Sequence, residues 1–229
     1  IDTKDRGYAL GIDYKAFSPN GDGVQDSLTI TPENLSVEGL IEASLELLDE
    51  KGLVRRTVKT APPLPTSIVF DGKDESGKTL PDGMYTVRGT AVYENGTESI
   101  AVTDAFGLDT TPPKAEVRVS TPIFSPNGDG NKDEVTLLFD VSKPALWKGT
   151  VVDEKGKLII SYELDGIPPK QIVLDGKDAD GKVLPDGTYT AFLEGRDAAG
   201  NIGASNKASV VIDTRPSTLT AATDLPAFS

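Results

Sequence analysis

The chain has 229 residues, with 36 acidic against 23 basic side chains and a formal net charge of −13 at pH 7. It contains no Cys and no His, which excludes a disulfide framework, a thiolate nucleophile, a zinc finger, a Ser-His-Asp triad and a haem-binding imidazole. The negative charge disfavours nucleic acid as a partner, and no apolar stretch approaches the ~20 residues of a membrane-spanning helix. We therefore predict no nucleic-acid binding and no membrane insertion.

Three motifs occur twice, in the same order along the chain. They are Phe-Ser-Pro-Asn-Gly-Asp-Gly at 17–23 and 124–130, Asp-Gly-Lys-Asp at 71–74 and 175–178, and Leu-Pro-Asp-Gly at 80–83 and 184–187. The copies of the first motif are 107 residues apart, and those of the other two are 104 residues apart. A shared order at nearly constant spacing indicates a tandem duplication.

An Asp-Thr pair marks the start of each predicted unit, and each Asp lies 16 residues before a Ser. We therefore predict a first repeat at 1–108, a second at 109–212 and the start of a truncated third at 213–229. In this register Phe228 and Ser229 stand where a third Phe-Ser-Pro-Asn-Gly motif would begin. The expectation is a piece of a longer array with further repeats in cis; a natural C-terminus is the alternative.

Short β-rich runs, separated by turn residues about every 8–12 residues, predict strands throughout each repeat. In the second repeat the predicted strands are Glu134–Val141, Leu146–Val152, Leu158–Leu164, Gln171–Leu174, Thr188–Glu194 and Ala208–Ile212. Leu40–Leu48 has weak helical periodicity, but its counterpart in the second repeat is strand-like, so we predict a strand. Six or seven strands in ~105 residues predict an all-β fold of tandem immunoglobulin-like (Ig-like) β-sandwich domains.

Several turn signals accompany these strands. Asp49–Gly52 and Asp153–Gly156 have the composition of hairpin turns. The acidic loop at 175–181 is predicted to be a solvated hairpin, because the lysine within it opposes cation binding. Tyr85 and Tyr189 follow Pro-Asp-Gly at a strand start, where a tyrosine corner and an ordinary half-buried strand tyrosine both remain open.

The repeated segments resemble known bacterial domains. Asp71–Tyr85 and Asp175–Tyr189 are similar to the Ig-like domain of the flagellar hook-capping protein and of many bacterial surface proteins; Asp197–Asn201 continues that pattern, and Tyr93–Thr97 departs from it. The Phe-Ser-Pro-Asn-Gly-Asp-Gly motif resembles the opening of the C-terminal domain associated with gliding motility and type IX secretion. Asp109–Pro113 resembles the joints between bacterial Ig-like repeats. These resemblances imply an exported bacterial protein, located outside the cell, at its surface or in the periplasm.

The Asn-Gly-Asp-Gly loops are the candidate metal site. Oxygen-bearing side chains stand at relative positions 1, 3, 5 and 9 with Gly at 6, as in the first part of an EF-hand-type calcium loop. The candidate calcium ligands are Asn20, Asp22 and Asp26 in the first loop and Asn127, Asp129 and Asp133 in the second. Position 1 is Ser and position 12 is Thr, so a rigid turn closed by Asn and Asp side chains remains the alternative. No cofactor is required for the fold, and calcium is the one candidate.

Two classes of function remain open. The first is a non-catalytic tandem module, acting as a spacer, a stalk or an adhesion segment that contacts a protein or glycan at a cell surface. The second is an assembly or scaffold component of a cell-envelope machine, which the hook-cap resemblance suggests. A carboxylate-pair hydrolase is disfavoured because no carboxylate pair stands out, and an accessory module of a surface hydrolase is a less favoured alternative. We predict no enzymatic activity.

Overall fold

The computed structural model describes residues 8–62 and 65–216, and every regular element in these ranges is a β-strand. Contacts divide the chain into two compact units. The first contains the described residues up to Pro113 together with Lys143–Leu146 and Gly195–Gly203, and the second contains the other described residues. The boundaries expected from the repeats stay predictions, and residues 217–229 of the expected third repeat lie outside the described ranges.

Nine strands form the first β-sandwich. They are β1 (Ala9–Ile12), β2 (Ala16–Phe17), β3 (Leu28–Glu33), β4 (Leu40–Asp49), β5 (Val54–Thr60), β6 (Ile68–Phe70), β7 (Gly83–Tyr93), β8 (Glu98–Val102) and β9 (Phe106–Leu108). One sheet has the order β1-β3-β6, and the other has the order β2-β9-β7-β4-β5 with β8 also paired to β7. The pairing of β2 with β9 is parallel, whereas β4 and β7 pair in the antiparallel sense.

The next nine strands repeat this topology. They are β10 (Ala115–Val119), β11 (Ile123–Phe124), β12 (Val135–Val141), β13 (Ala145–Asp153), β14 (Leu158–Gly166), β15 (Gln171–Leu174), β16 (Gly187–Arg196), β17 (Ile202–Ala204) and β18 (Ala208–Ile212). Their sheets have the orders β10-β12-β15 and β11-β18-β16-β13-β14, with β17 also paired to β16. The all-β fold of tandem Ig-like β-sandwiches is therefore confirmed.

The core of the first sandwich follows from the alternation of side chains along its strands. In β7 the buried residues recur at every second position from Tyr85 to Tyr93, as expected for a strand with one face on a core. Phe17, Phe70 and Phe106 come from different strands, and their ring centroids lie 5.6–6.5 Å apart. Such aromatic contacts contribute about 0.5–1.5 kcal/mol each beyond the buried area.

The second core also lies between two sheets. Trp147 on β13 and Leu193 on β16 are fully buried. A small cavity of ≈ 10 Å³ is lined by Leu174 of the three-stranded sheet and by Val151 and Val210 of the six-stranded sheet, so the two sheets face one another. Full burial of a Leu or Val side chain stabilises a fold by roughly 1.5–3 kcal/mol.

The repeated motifs contact each other within each sandwich. A Cβ atom on Gly72 would lie 2.6 Å from Cγ of Pro19, and a Cβ atom on Gly176 would lie 2.4 Å from Cγ of Pro126. These distances are too short for any side chain, so glycine is required where the Asp-Gly-Lys-Asp loop meets the Phe-Ser-Pro segment. The two motifs therefore form the same packing contact in each sandwich.

Most local predictions are confirmed. The predicted strands of the second repeat match β12–β16 and β18 to within about two residues at every end, and Leu40–Leu48 lies within strand β4. Tyr85 and Tyr189 each donate from Oη to the carbonyl of the proline four residues earlier, at 2.8 Å, which is the tyrosine-corner arrangement.

Across residues 8–62 and 65–216, no helix has the length and apolar character that crossing a membrane requires.

Candidate functional site

The first Asn-Gly-Asp-Gly loop connects β2 to β3 and is closed by its own side chains. Asp26 accepts hydrogen bonds from the backbone N–H groups of Gly21 and Gly23, at 2.6 and 2.8 Å. The Asn20 amide donates to Asp22 at 3.0 Å, and each of these two side chains accepts the N–H of the residue two positions later. The loop therefore has the local side chain–backbone bonds that characterise a rigid Asx turn.

The second loop, between β11 and β12, has the same bonds. Asp133 accepts the N–H groups of Gly128 and Gly130 at 2.7 Å each. Asn127 donates to Asp129 at 2.9 Å, and both side chains again accept the N–H two residues later. The hydrogen bonds that the rigid-turn interpretation predicts are present in both copies.

These bonds affect the candidate calcium site. In the first loop Oδ1 of Asn20 and both carboxylate oxygens of Asp22 and Asp26 already accept an N–H group. Calcium takes 6–8 oxygen ligands, so a bound ion would need further oxygens in addition to these side chains. Within the described residues, no cluster of three or more His, Cys, Asp or Glu side chains could hold a metal ion. Calcium binding by the six named residues stays a prediction.

Each loop contains a non-glycine residue in the left-handed region. Gln25 has φ of 49° and Lys132 has φ of 56°. Such a backbone conformation costs a residue with a Cβ of order 1–3 kcal/mol and persists where its surroundings require it. The same unusual conformation at the same loop position indicates that it is a built feature of the motif.

The first loop holds a tight turn at Asp197–Asn201, between β16 and β17. The amide of Asn20 donates to Oδ1 of Asn201 at 3.2 Å, and Nε2 of Gln25 donates to the carbonyl of Ala198 at 3.1 Å. All of these residues belong to the first compact unit. The positive φ of Gln25 therefore accompanies a side chain that reaches the turn.

The turn itself is closely packed. Gly200 has φ of +91°, and a Cβ atom there would lie 2.9 Å from Cγ1 of Val24. Asp197 accepts the backbone N–H of Ala199 and of Asn201, and Ala199 and Asn201 are only 1% exposed. The equivalent turn of the first repeat has exposed residues at 94–97 and lacks the Asp-Ala-Ala-Gly-Asn sequence.

Lys143 connects this turn to the segment that follows β9. Its Nζ lies 2.7 Å from Oδ2 of Asp109 and 2.7 Å from Oδ2 of Asp197, and it also donates to the carbonyl of Thr111. Asn201 donates to the carbonyl of Asp109 at 2.7 Å. Burial lowers the pKa of Lys143, but the hydrogen bonds with Asp109 and Asp197 raise it by more, so the pKa lies above its usual 10.5. The group is therefore a stable ammonium ion that binds two carboxylates.

In both copies the Leu-Pro-Asp-Gly motif binds the Asp-Thr segment that follows the last strand of the sandwich. Asp82 accepts the N–H and the hydroxyl of Thr110 at 3.0 and 2.8 Å, and its other oxygen accepts the hydroxyl of Thr111 at 3.0 Å. Asp186 accepts the N–H and the hydroxyl of Thr214 at the same two distances. Each Leu-Pro-Asp-Gly loop therefore fixes the Asp-Thr pair that leaves the last strand of its own sandwich.

Sequence reasoning did not identify Lys143, Asp82 or Asp186 as functional residues. One signal was present for Lys143. At the positions 104 residues earlier, the first repeat has Tyr93 in place of Asp197 and Gly39 in place of Lys143. The first repeat therefore lacks both the carboxylate and the lysine. Such paired differences between internal copies identify contacts that no local motif reveals.

Comparison with solved structures gives several similar folds. The chain is similar to a tetra-tandem repeat in the extending region of a large adhesion protein, with 21% identity and a TM-score of 0.38 over 91% of this chain and 49% of that one. It is also similar to a 1.5-MDa bacterial ice-binding adhesin, with 15% identity and a TM-score of 0.46 over 90% of this chain and 63% of that one. Fibronectin(III)-like modules of CbhA from Clostridium thermocellum have 14% identity and a TM-score of 0.42, over 93% of this chain and all of theirs.

The chain spans about half the length of the first of these structures and 63% of the second. No family model and no curated protein sequence matches the chain.

Proposed function

We propose that the chain is a non-catalytic spacer or stalk segment of an exported bacterial protein, built from tandem Ig-like sandwiches. The observation that carries the proposal is the way the segment Asp109–Thr111 is held. Asp82 accepts three hydrogen bonds from it, Lys143 binds its carboxylate and one of its carbonyls, and Asn201 donates to another carbonyl. A segment held at every residue resists bending, whereas a polar linker without such contacts behaves as a flexible coil.

The use made of the carboxylates supports a non-catalytic role. Hydrogen bonds from the Leu53 N–H and from the Ser76 hydroxyl lower the pKa of Asp49 and of Asp74, respectively. A general acid of a glycoside hydrolase requires a raised carboxyl pKa, which is the opposite shift. These acids close hairpin turns on the surface, where they stabilise the fold.

Adhesion is the second candidate, and exposed edge strands favour it. Val69 on β6 is 60% exposed, and Val173 occupies the same place on β15 and is 48% exposed. Both strands stand at the edge of a three-stranded sheet. An apolar side chain beside unpaired backbone groups suits contact with an extended protein segment.

Single-molecule stretching tests the spacer role. The full chain, held at its two ends, should unfold in two separate force peaks. Each peak should release roughly 35 nm of contour length, for about 100 residues at ~3.5 Å each. A chain that extends smoothly at low force, without distinct peaks, would contradict a mechanical role.

Affinity capture separates the two candidates. The immobilised chain is incubated with extracts of bacterial and host surfaces, and a matched column carries the Val69→Lys and Val173→Lys variant. A specific protein or glycan retained by the wild type and lost from the variant would establish adhesion and overturn the passive spacer. Equal retention on both columns would contradict the edge strands as the adhesive site.

A further inference from the structure

The second Asn-Gly-Asp-Gly loop reproduces the first one but faces solvent. It has the same seven-residue motif, the same carboxylate–amide bonds and the same left-handed residue, Lys132 in place of Gln25. In both copies the carbonyl of this left-handed residue accepts the N–H of the motif serine, at 2.9 Å in the first loop and 2.8 Å in the second. Residues 127–132 are all exposed. The second loop is therefore preformed in the conformation that the first loop uses to hold a turn.

We propose that the loop Asn127–Asp133 is a docking surface for an Asp-X-X-Gly-Asn turn presented by another repeat of the same type. The inference rests on the proposed function as a tandem spacer, and it specifies the surface through which repeats of such an array contact one another. The pattern for the contact is the turn Asp197–Asn201 on the first loop. There the loop asparagine and the left-handed residue supply the two donors.

The chemistry of the second loop fits the same partner. Asn127 carries the side-chain amide that Asn20 uses toward Asn201. Lys132 presents an ammonium group with three donors in place of the single amide of Gln25, so it can reach a turn carbonyl and also attract the carboxylate of the turn. The Lys132 side chain makes no hydrogen bond within the described part of the chain, whereas the Gln25 side chain donates to the carbonyls of Ala16 and Ala198.

The partner turn must carry glycine at its fourth position. A Cβ atom on Gly200 would lie 2.9 Å from Val24 and 3.1 Å from Oε1 of Gln25, and the positive φ of Gly200 adds strain for any other residue. A turn such as Tyr93–Thr97 also has glycine at that position but lacks the final asparagine that receives the loop amide. The proposal therefore distinguishes between turns that the chain itself contains.

Cysteine cross-linking tests the proposal, because the chain has no native Cys. The engineered chain ends its native part at Pro216 and continues with a second copy of residues 113–216. The copy contains a new Asp-Ala-Ala-Gly-Asn turn. This turn follows the second loop in the chain at nearly the same spacing at which Asp197–Asn201 follows the first loop. Lys132→Cys is combined with Cys at the copied Ala198. Gln25→Cys with Ala198→Cys in the 229-residue chain is the positive control, and Lys155→Cys with the same copied turn cysteine is the negative control.

Under mild oxidation the Lys132 pair should form an intramolecular disulfide, read by intact mass, at least about tenfold faster than the Lys155 pair. Changing the copied Gly200 to Val should abolish this gain. The docking surface is overturned if the positive control forms its disulfide but the Lys132 pair reacts no faster than the Lys155 pair. If the stretching experiment still shows separate unfolding peaks, that result overturns the docking surface alone and leaves the spacer role standing. If the Lys132 pair forms its disulfide rapidly but the chain extends without force peaks, the spacer role is overturned and the docking surface stands.

Discussion

Lys143 and Asp197 form an ion pair of 2.7 Å in which the carboxylate side chain is 4% exposed and the lysine side chain is 21% exposed. The carboxylate also accepts two backbone N–H groups and the side-chain amide of Asn201. Lys143 is thus one of several groups that compensate a buried charge, and it also binds the carboxylate of Asp109, whose carbonyl accepts the Asn201 amide.

Lys143→Met should lower the free energy of unfolding by about 1–3 kcal/mol, because it removes the ammonium group from a buried carboxylate that keeps its other donors. The measurement is urea unfolding followed by far-UV circular dichroism, which reports the strands of both compact units. Lys148→Met, which removes an exposed lysine in the following strand, should change stability by less than about 0.5 kcal/mol. Equal effects of the two substitutions would show that the ion pair contributes nothing.

The same ion pair predicts a loss of stability at alkaline pH. Burial lowers the pKa of Lys143, but the bonds to Asp109 and Asp197 raise it further, above 10.5 in the folded state. The contribution of Lys143 is therefore complete below pH 10.5 and is lost as the pH rises through the folded-state pKa. The stability difference between the wild type and Lys143→Met should shrink above this pH. Tyrosine ionisation in the same pH range affects both proteins and therefore cancels in the difference. A stability difference that stays constant with pH would contradict a contribution from the Lys143 ion pair.

How far the fold was predictable depends on how local its signals are. The longer strands of the second repeat, such as β14 at Leu158–Gly166, carry alternating or β-rich runs bounded by turn residues, and these runs mark their ends to within about two residues. Strand β11 is only two residues long, lies inside the Phe-Ser-Pro motif and pairs in parallel with β18 almost ninety residues later. A two-residue strand has no periodicity, and a parallel pairing at that separation leaves no local trace.

The candidate site shows the same division. The bonds of Asn20, Asp22 and Asp26 were predictable as one alternative, because Asn and Asp bind the backbone two or three residues away. Lys143 was not, because one lysine among 23 basic residues says nothing about partners 34 and 54 positions away in the chain. The docking of the turn at Asp197 on the first loop likewise depends on packing between distant segments.

The clamps at Asp82 and Asp186 predict separable effects on amide exchange. Asp82→Ala should speed hydrogen exchange of the Thr110 amide roughly tenfold, because it removes an acceptor worth about 1.4 kcal/mol. It should leave the Thr214 amide unchanged. Asp186→Ala is the matched variant and should produce the opposite pattern. Exchange measured by NMR that is unchanged at both amides in both variants would contradict the clamps.

Calcium binding is testable by thermal unfolding of the full chain with 2 mM calcium and with a chelator. If the Kd of each loop lies between 10⁻⁴ and 10⁻³ M, calcium should stabilise its sandwich by roughly 0.6–1.8 kcal/mol. The Asp22→Ala and Asp129→Ala double variant should lose this difference. Coincident wild-type melting curves in the two conditions would rule out calcium and leave the rigid turn, which already has its hydrogen bonds.

The left-handed residues of the two loops predict opposite responses to glycine. Lys132→Gly removes backbone strain and costs no observed side-chain bond, so it should leave stability unchanged or raise it by up to about 1 kcal/mol. Gln25→Gly relieves the same strain but removes the bonds to the carbonyls of Ala16 and Ala198, so it should lower stability by about 1 kcal/mol. Urea unfolding of both variants at one pH gives the comparison. A Gln25→Gly protein that is as stable as Lys132→Gly would show that the first loop gains nothing by holding the turn.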